Sequence, residues 1–334
     1  MRLLLRHPQV ELTAATSRRE AGKTVAEVFP RFAGDPAAER LRFTNPDPKQ
    51  LAEGTDAVFL ALPHGVAAEY APALLEAGCR VIDLSADFRL RSPELYREFY
   101  GAEHPAPQLL QEAVYGLPEH YREAIAGTRL VASPGCYPTS VLLPLLPLLK
   151  EGLVSAERII ADSYSAVSGA GRKAELPYLF VECNESLCPY GAPKHRHLSE
   201  MEQEMSLAAG RPVRMQFTPH LAPVNRGILT TIYCRPIEDC RDAAARERFL
   251  ARAEETWRKA YQAAPFVRLL GQERFPDTKR VAWTNTIEIA WRLDPRTGEL
   301  LLFSAVDNLI KGAGGQAVQS MNLMFGFEET AGLL

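Results

Sequence analysis

The sequence contains no long apolar run and no excess of positive charge. No uninterrupted apolar stretch approaches the ~18 residues that a membrane-spanning helix requires, and the opening MRLLLRHP is too short and too charged for a signal peptide. The formal net charge of -3 at pH 7 gives no electrostatic reason to expect nucleic-acid binding. These absences favour a cytoplasmic protein that acts on small molecules, without nucleic-acid or membrane partners.

Cysteine is also sparse. The six cysteines, at positions 79, 136, 183, 188, 234 and 240, are scattered over 334 residues, whereas disulfide scaffolds are short and cysteine-dense. We expect most of them to be reduced and inert. Apolar residues make up 46% and charged residues 24% of the chain, as is typical of globular proteins, and the length suggests two domains or one large one.

The first third of the chain alternates strand-like and helical segments. Such alternation is typical of a parallel, doubly wound α/β sheet. The helical pattern is clearest in GVAAEYAPALLEAG. The candidate strands are VELTAAT, TDAVFLALP, CRVIDLSA and TRLVASP.

After about residue 155 the β segments become longer. One amphipathic helix, DAAARERFLARAEETWRKAYQ, interrupts them, and the last two flank the turn PRTG as a predicted hairpin. We expect an α+β domain with an antiparallel sheet, followed by a final helix that starts at the glycines of GAGGQAVQSMNLMFGF. The candidate strands are RIIADSYSAV, VRMQFTPHLAPV, GILTTIYCRP, TNTIEIAWRLD and ELLLFSAVD.

Cys136 is the strongest candidate for a catalytic residue. The segment ASPGC brings it from an apolar run, through a Pro-Gly turn, to the apolar run VLLPLLPLLK. A helix amino terminus presents unpaired N–H groups and a partial positive charge, and both favour thiolate over thiol. A buried core cysteine is the alternative, but the Pro-Gly turn favours a nucleophile.

Two histidines in KHRHLSEMEQEM precede a polar helical stretch. Imidazole is a natural partner for a cysteine, as base toward the thiol and acid toward a departing oxygen. Of His195 and His197, we favour His195 as the group nearest the thiol. A metal site formed with Glu200 is less favoured because no second ligand cluster follows, and exposed histidines at a helix start are the remaining alternative.

Arginines follow several candidate strands. Ser17, Arg18 and Arg19 come directly after VELTAAT, where arginine in a dinucleotide-binding fold accommodates the 2′-phosphate of NADP; a solvated loop is the alternative. Arg89 in SADFR and Arg226 in APVNRGIL are each suited to gripping a phosphate or carboxylate. A structural salt bridge is an equally good interpretation of both.

With these residues assembled, the whole chain resembles the N-acetyl-gamma-glutamyl-phosphate reductase family. The resemblance implies an α/β fold with a Rossmann-type NADP-binding domain (1–135 plus 306–334) and an α+β catalytic and dimerisation domain of the glyceraldehyde-3-phosphate dehydrogenase type (136–305). It also implies a homodimer or homotetramer in arginine biosynthesis. The motifs that carry it are, in order, ATSRREAGK, LALPHG, IDLSADFRL, VYGLPE, SPGCYPTS, SGAGR, HRH and DNLIKGAGGQAVQSMN.

The resemblance implies a reaction and a set of site residues. The reaction is the NADPH-dependent reductive dephosphorylation of N-acetyl-gamma-glutamyl phosphate to N-acetylglutamate 5-semialdehyde through a thioester on Cys136, with His195 or His197 as acid/base. No metal is expected. The substrate-binding candidates are Arg89, Arg226 and Glu200. The implied cofactor-binding residues are Ser17, Arg18, Arg19, Pro63, His64, Gly314, Gly315 and Gln316.

The sequence departs from the family pattern at two places. Ser140 stands where the active-site motif usually has Gly or Ala. The family also begins with a strand and a glycine-rich turn ahead of the helix that MRLLLRHP matches, so we expect a gene start assigned too late. Without those elements, we expect the neighbouring strands to be unpaired and NADP to bind poorly.

Alternatives in two classes stay open. Reductases of aspartyl phosphate or of carrier-linked aminoadipyl phosphate share the thiolate chemistry and differ in the substrate pocket. The second alternative is a non-catalytic relative that keeps the fold. The retained Cys136, His195 and Arg18 argue against it.

Overall fold

The chain forms two compact units in a computed structural model that describes residues 1–172 and 174–334. Residues 306–316, expected in the first domain, group with the second unit, because the turn there packs against the helix that begins at Cys136. The first unit consists of Met1–Pro93, Ala102–Ser133 and Ala317–Leu334, and the second of Glu94–Gly101 and Pro134–Gln316.

The helices and strands are numbered here in chain order. The helices are α1 (Arg2–Leu5), α2 (Val25–Val28), α3 (Pro36–Arg40), α4 (Pro48–Ala52), α5 (Ala67–Glu76), α6 (Pro93–Tyr100), α7 (Pro118–Gly127), α8 (Cys136–Lys150), α9 (Phe180–Cys183), α10 (His197–Ala209), α11 (Ala243–Tyr261), α12 (Thr278–Val281) and α13 (Gly315–Phe325), with a π-helical turn at Ile310–Gly314. The strands are β1 (Ala15–Thr16), β2 (Phe43–Thr44), β3 (Ala57–Leu60), β4 (Arg80–Asp83), β5 (Val114–Tyr115), β6 (Leu130–Ala132), β7 (Ile159–Ala166), β8 (Cys188–Pro189), β9 (Met215–Ala222), β10 (Ile228–Cys234), β11 (Val267–Gly271), β12 (Ile287–Leu293) and β13 (Leu300–Val306). No helix in the described part of the chain is long and apolar enough to cross a bilayer.

The first unit has a parallel sheet in two pieces. Strands β3, β4, β6 and β5 pair in that order, all parallel, and β1 pairs with β2 as a separate parallel ribbon. The predicted parallel sheet is confirmed. Only the last two residues of VELTAAT form β1, and β1 and β3 each have one strand partner among the described residues.

The second unit is built on a seven-stranded sheet of order β11-β12-β13-β10-β7-β9-β8. The predicted hairpin of β12 and β13 is confirmed as antiparallel. The expectation of a wholly antiparallel sheet is wrong, because β7 pairs parallel to β9, and β11 pairs parallel to β12. Helix α10 lies between β7 and β9 in the chain, and such a crossover returns the chain in the same direction.

Helix α8 is buried along nearly its whole length despite two internal prolines, Pro144 and Pro147. Each proline lacks an N–H and frees the carbonyl four residues earlier. Side chains replace the lost donors: the Ser304 hydroxyl donates to the Ser140 carbonyl at 2.6 Å, and the Tyr261 hydroxyl donates to the Leu143 carbonyl. The helix that begins with Cys136 is therefore held by the elements packed around it.

Candidate active site

Cys136 is the first residue of α8. The fully buried strand β6 ends at Ala132, and Gly135 is the N-cap residue, with no side chain capping the helix. The predicted delivery of a cysteine from a strand to a helix amino terminus is confirmed. The side chain is half-buried rather than sealed in the core, so the positive end of the helix dipole acts on an accessible sulfur.

His197 and Glu200 lie against the turn that precedes Cys136. A Cβ added to Gly135 would lie 2.5 Å from Nε2 of His197. The Glu200 carboxylate, 1% exposed, accepts a hydrogen bond from the Gly135 N–H at 3.1 Å, and its other oxygen lies 4.0 Å from Nε2 of His197. The glycine of the Pro-Gly turn thus allows an imidazole and a carboxylate to approach the start of the helix.

His195 lies in an aromatic surround. Its ring meets those of Tyr137, Tyr190 and Phe217 edge to face at 5.6, 5.6 and 5.7 Å between centroids. Burial, with a smaller contribution from the Arg196 charge, lowers the pKa of His195 to about 4. Its Nδ1 accepts a hydrogen bond from the His197 N–H at 3.1 Å, so the neutral ring carries its proton on Nε2.

The two tyrosines beside His195 were not predicted from the sequence. The hydroxyls of Tyr137 and Tyr190 lie 2.9 Å apart, and burial raises the pKa of Tyr137 above its ordinary value and that of Tyr190 to about 12. Both tyrosines therefore stay protonated at neutral pH. Tyr137 follows Cys136 directly, which was the only sequence signal for it.

The π-helical turn Ile310–Gly314 packs on the cysteine. A Cβ at Gly312 would lie 2.9 Å from Cβ of Cys136. Gly315 has equally little space, since its added Cβ would lie 2.3 Å from Oδ1 of Asn285, and the fully buried Gln316 donates to the Thr139 hydroxyl at 2.9 Å. The glycines of this segment permit close packing within the unit, and contact of Gly314, Gly315 and Gln316 with a cofactor stays a prediction.

The two predicted substrate-binding arginines have different surroundings. Arg89 is buried and donates through Nε to the Ser133 carbonyl at 2.8 Å and through Nη2 to the Leu84 carbonyl at 3.2 Å. These contacts give it a structural role at the ends of β4 and β6. Arg226 donates through Nη1 to both carboxylate oxygens of the fully buried Asp307.

The predicted NADP-binding residues of the first unit follow the carboxyl ends of strands. Arg18 and Arg19 come just after β1, both exposed, and within the described residues neither guanidinium has an ion-pair partner. Ser17 donates its N–H to the Thr44 carbonyl of β2 at 3.0 Å. Two unpaired guanidinium groups at this end of a parallel strand fit the 2′-phosphate of NADP.

Pro63 and His64 are exposed in the loop after β3. The Asp87 carboxylate fixes this loop by accepting the N–H groups of Gly65 at 2.7 Å and Ala68 at 3.0 Å, and Nδ1 of His64 accepts the Ala86 N–H. The loop at the strand end is thus preorganised. In the described part of the chain, no three His, Cys, Asp or Glu side chains are grouped as metal ligands.

The fold and site define a class of protein. Residues 1–128 match the family described as Semialdehyde dehydrogenase, NAD binding domain, and residues 136–308 match Semialdehyde dehydrogenase, dimerisation domain. Two solved structures share this fold: aspartate semialdehyde dehydrogenase II from Vibrio cholerae, complexed with ASA (TM-score 0.69, 20% identity, 97% of this chain and 93% of that chain), and aspartate semialdehyde dehydrogenase with NADP from Candida albicans (TM-score 0.66, 16% identity, 97% and 94%).

Curated relatives narrow the class. The N-acetyl-gamma-glutamyl-phosphate reductase of Akkermansia muciniphila is 57% identical over 334 residues, covering 100% of this chain and 94% of the relative. Those of Halorhodospira halophila and Geotalea daltonii are 49% and 48% identical, covering 100% of this chain and 93% of each relative. The chain belongs to the N-acetyl-gamma-glutamyl-phosphate reductase family.

Proposed function

We propose that this protein catalyses the NADPH-dependent reductive dephosphorylation of N-acetyl-gamma-glutamyl phosphate to N-acetylglutamate 5-semialdehyde. The observation that carries the proposal is the half-buried Cys136 at a helix amino terminus, with the imidazole of His197 and the carboxylate of Glu200 against the preceding residue. The full-length similarity to reductases of this name supports the substrate.

The Cys136 thiolate attacks the acyl carbon of the substrate. The new S–C bond replaces the C–O bond to phosphate, which leaves with the bonding electrons, and a thioester remains on the enzyme. His197 receives the thiol proton, and Glu200 stabilises the imidazolium that forms. The positive end of the α8 dipole would stabilise the oxygen that gains negative charge. His197 is favoured for this role over His195 because it lies against Gly135.

His195 acts as a neutral hydrogen-bond donor. Its Nδ1 is occupied by the His197 N–H, so its Nε2–H is the group that it offers to the substrate. A pKa of about 4 keeps the ring uncharged at neutral pH, which makes it unsuited to storing the thiol proton. The two histidines therefore have different proposed roles, with His197 as the acid/base and His195 as a neutral donor.

NADPH is the reductant, and when bound it supplies the two electrons that convert the acyl group to the aldehyde. Arg18 and Arg19 would hold its 2′-phosphate, with Ser17 beside them. Pro63 and His64 would lie along the dinucleotide, and Gly314, Gly315 and Gln316 would lie near the nicotinamide.

Titration of the purified chain with NADPH tests cofactor binding and separates an enzyme from a non-catalytic relative. We expect saturable binding, weakened by at least about 100-fold when Arg18 and Arg19 are both replaced by Ala, since each charge-assisted hydrogen bond contributes about 1.5–3 kcal/mol. Binding of NADH is expected to change little in the same variant. A chain that binds neither nucleotide would favour the non-catalytic alternative.

NADPH oxidation that depends on N-acetyl-gamma-glutamyl phosphate tests the chemistry. Cys136→Ser is expected to lower turnover by roughly a thousandfold or more, because a serine hydroxyl is not ionised at a helix amino terminus as a thiol is. Cys188→Ser, at an exposed cysteine, is the matched control and is expected to retain full activity. Undiminished turnover in Cys136→Ser would exclude the thioester mechanism. Parallel assays with aspartyl phosphate and carrier-linked aminoadipyl phosphate decide between the related substrates.

We propose that the protein is a homodimer in the cytoplasm and that the second unit forms the dimer interface. One face of the seven-stranded sheet carries apolar side chains that are partly exposed, including Ile160, Tyr164 and Tyr233 at 38, 37 and 39%. In the sheet register Tyr233 lies beside Ile160 and Leu301, so they form a continuous surface within the region that matches a dimerisation domain. We propose that a second copy of the chain binds to this surface.

The state of the cysteines supports the proposed location in the cytoplasm. All six cysteines are free, which suits a reducing compartment.

A further inference from the structure

Trp283 has a backbone conformation that tryptophan rarely adopts. Its φ is +69°, in the left-handed region where a bulky L-residue is strained and where such strain often accompanies function. The indole is 55% exposed, so burial in the core does not explain the conformation. Its N–H donates to Oδ2 of Asp307 at 2.6 Å, and this bond holds the residue in place.

The indole of Trp283 covers one face of Arg226. The guanidinium carbon lies 3.4 Å from the ring centroid, a close cation–π stack. Nη1 of the same guanidinium donates to both oxygens of Asp307, at 3.0 and 2.9 Å. One nitrogen and one face of Arg226 are therefore fixed, and its side chain is only 15% exposed.

The opposite edge of Arg226 is available. Within the described residues, Nε and Nη2 have no hydrogen-bond or ion-pair partner. These two nitrogens present parallel N–H groups, the geometry that matches a carboxylate. Asp307 already balances the guanidinium charge, so this edge binds a ligand mainly through two oriented hydrogen bonds. It therefore suits a monoanionic carboxylate better than a dianionic phosphate.

Asp307 connects Arg226 to the π-helical turn that packs on Cys136. Oδ1 of Asp307 also accepts the N–H groups of Leu309 and Ile310, at 2.8 and 2.9 Å, and so anchors the start of the π-helical turn. The point where Gly312 would carry a Cβ lies 2.9 Å from Cβ of Cys136 and 3.2 Å from the Asp307 carbonyl oxygen. The backbone of Asp307, whose carboxylate orients Arg226, thus packs on the same glycine as Cys136.

We propose that Trp283 is a specificity-determining residue that holds Arg226 with its Nε–Nη2 edge toward the substrate carboxylate, the one on the carbon bearing the acetamido group. The inference rests on the proposed function and extends it to a residue and a substrate group. In this arrangement the Trp283 N–H bond to Asp307 holds the backbone and the indole stacks on the guanidinium.

Trp283→Gly tests the role of the indole without a penalty in the backbone, because glycine adopts a φ of +69° freely. We expect the KM for N-acetyl-gamma-glutamyl phosphate to rise about 5- to 30-fold, the range of a cation–π stack, with kcat changed by less than about threefold. Arg158→Gly is the matched control, since Arg158 is exposed and has a φ of 59°; its KM is expected to stay unchanged.

A substrate analogue identifies the group that is recognised. With the carboxylate converted to a carboxamide, wild-type kcat/KM is expected to fall, and the preference for carboxylate over carboxamide is expected to shrink by about 5- to 30-fold in Trp283→Gly. An unchanged preference, or an unchanged KM in a folded and active Trp283→Gly, would overturn the inference and leave the proposed function standing. A wild-type chain that reduces no acyl phosphate would refute both the inference and the proposed function.

Discussion

Gly135 allows two side chains to approach Cys136. The missing side chain leaves room for the His197 ring and exposes the N–H that Glu200 accepts. Gly135→Ala would put a methyl group within 2.7 Å of three atoms of His197. We expect kcat/KM to fall about 100-fold, the effect of a 1 Å misplacement of a catalytic group, as measured by NADPH oxidation.

The control for Gly135→Ala is Gly127→Ala. Gly127 ends α7, and an added Cβ there has no neighbour within 4 Å. Both variants are expected to unfold at the same denaturant concentration within error. Equal activity of Gly135→Ala and wild type would mean that His197 does not need its observed position.

His195 predicts a pH dependence of stability. Its folded pKa of about 4 lies below the ordinary 6.5, so the unfolded state binds more protons between these values and the native state loses stability as pH falls from about 6.5 toward 4. His195→Asn keeps an acceptor for the His197 N–H and removes the titration. Between pH 7 and 5 we expect wild type to lose about 1–2 kcal/mol more unfolding free energy than this variant, measured by urea denaturation.

Asp83 has the opposite effect on the pH dependence of stability, and its contribution must be distinguished from that of His195. Burial raises the pKa of its carboxyl from 3.8 to about 7, although Ser85 donates to both oxygens. The native state therefore holds a proton that the unfolded state releases, and this group contributes stability that decreases as pH rises from about 4 to 7. Because Asp83 is present in both wild type and His195→Asn, the difference between them isolates His195.

Helix α8 depends on side-chain donors from other elements. Tyr261 of α11 supplies the hydrogen bond that Pro147 cannot make. Tyr261→Phe leaves the buried Leu143 carbonyl without that donor, and we expect a loss of about 1–3 kcal/mol in unfolding free energy, measured by chemical denaturation. Tyr178→Phe, at a half-buried position outside the strands, is expected to change it by less than about 0.5 kcal/mol. Equal stability of the two variants would contradict this account of the helix.

Short elements were the least predictable from the sequence. The strands β2, β5 and β8 have two residues each, too few for a period-2 pattern to appear. The parallel pairing of β7 with β9 depends on which strands meet across the sheet, which is a property of long-range contacts. The hairpin β12–β13 was predictable because its signal is local, in the turn and in the two flanking apolar runs.

The whole molecule is expected to dimerise through the sheet face of the second unit. Tyr233→Glu would place a charge in a buried apolar interface, and we expect sedimentation equilibrium to shift from a dimer to the 37.0 kDa monomer. Ile237→Glu, also at an exposed apolar residue but outside the strands, is the control and is expected to remain dimeric. A dimeric Tyr233→Glu would place the interface elsewhere.

The nucleophile, its place at a helix start, the parallel sheet and the candidate NADP arginines all follow from local patterns: Pro-Gly before an apolar helix, alternating β and α runs, and arginines after a strand. Such signals are encoded within a few consecutive residues, so one chain is enough to see them. The expected substrate and cofactor came from the family resemblance, which rests on motifs that occur in the same order along the chain.

Tertiary structure alone decided which groups surround the thiol. His197, and not His195, lies against Gly135, and Arg226 is fixed by Asp307 and Trp283, from segments 57 to 81 residues away. Desolvation decides whether a buried histidine is neutral. Partners distant in the chain decide whether an arginine donates to a backbone carbonyl. Those quantities exist only once the chain has folded.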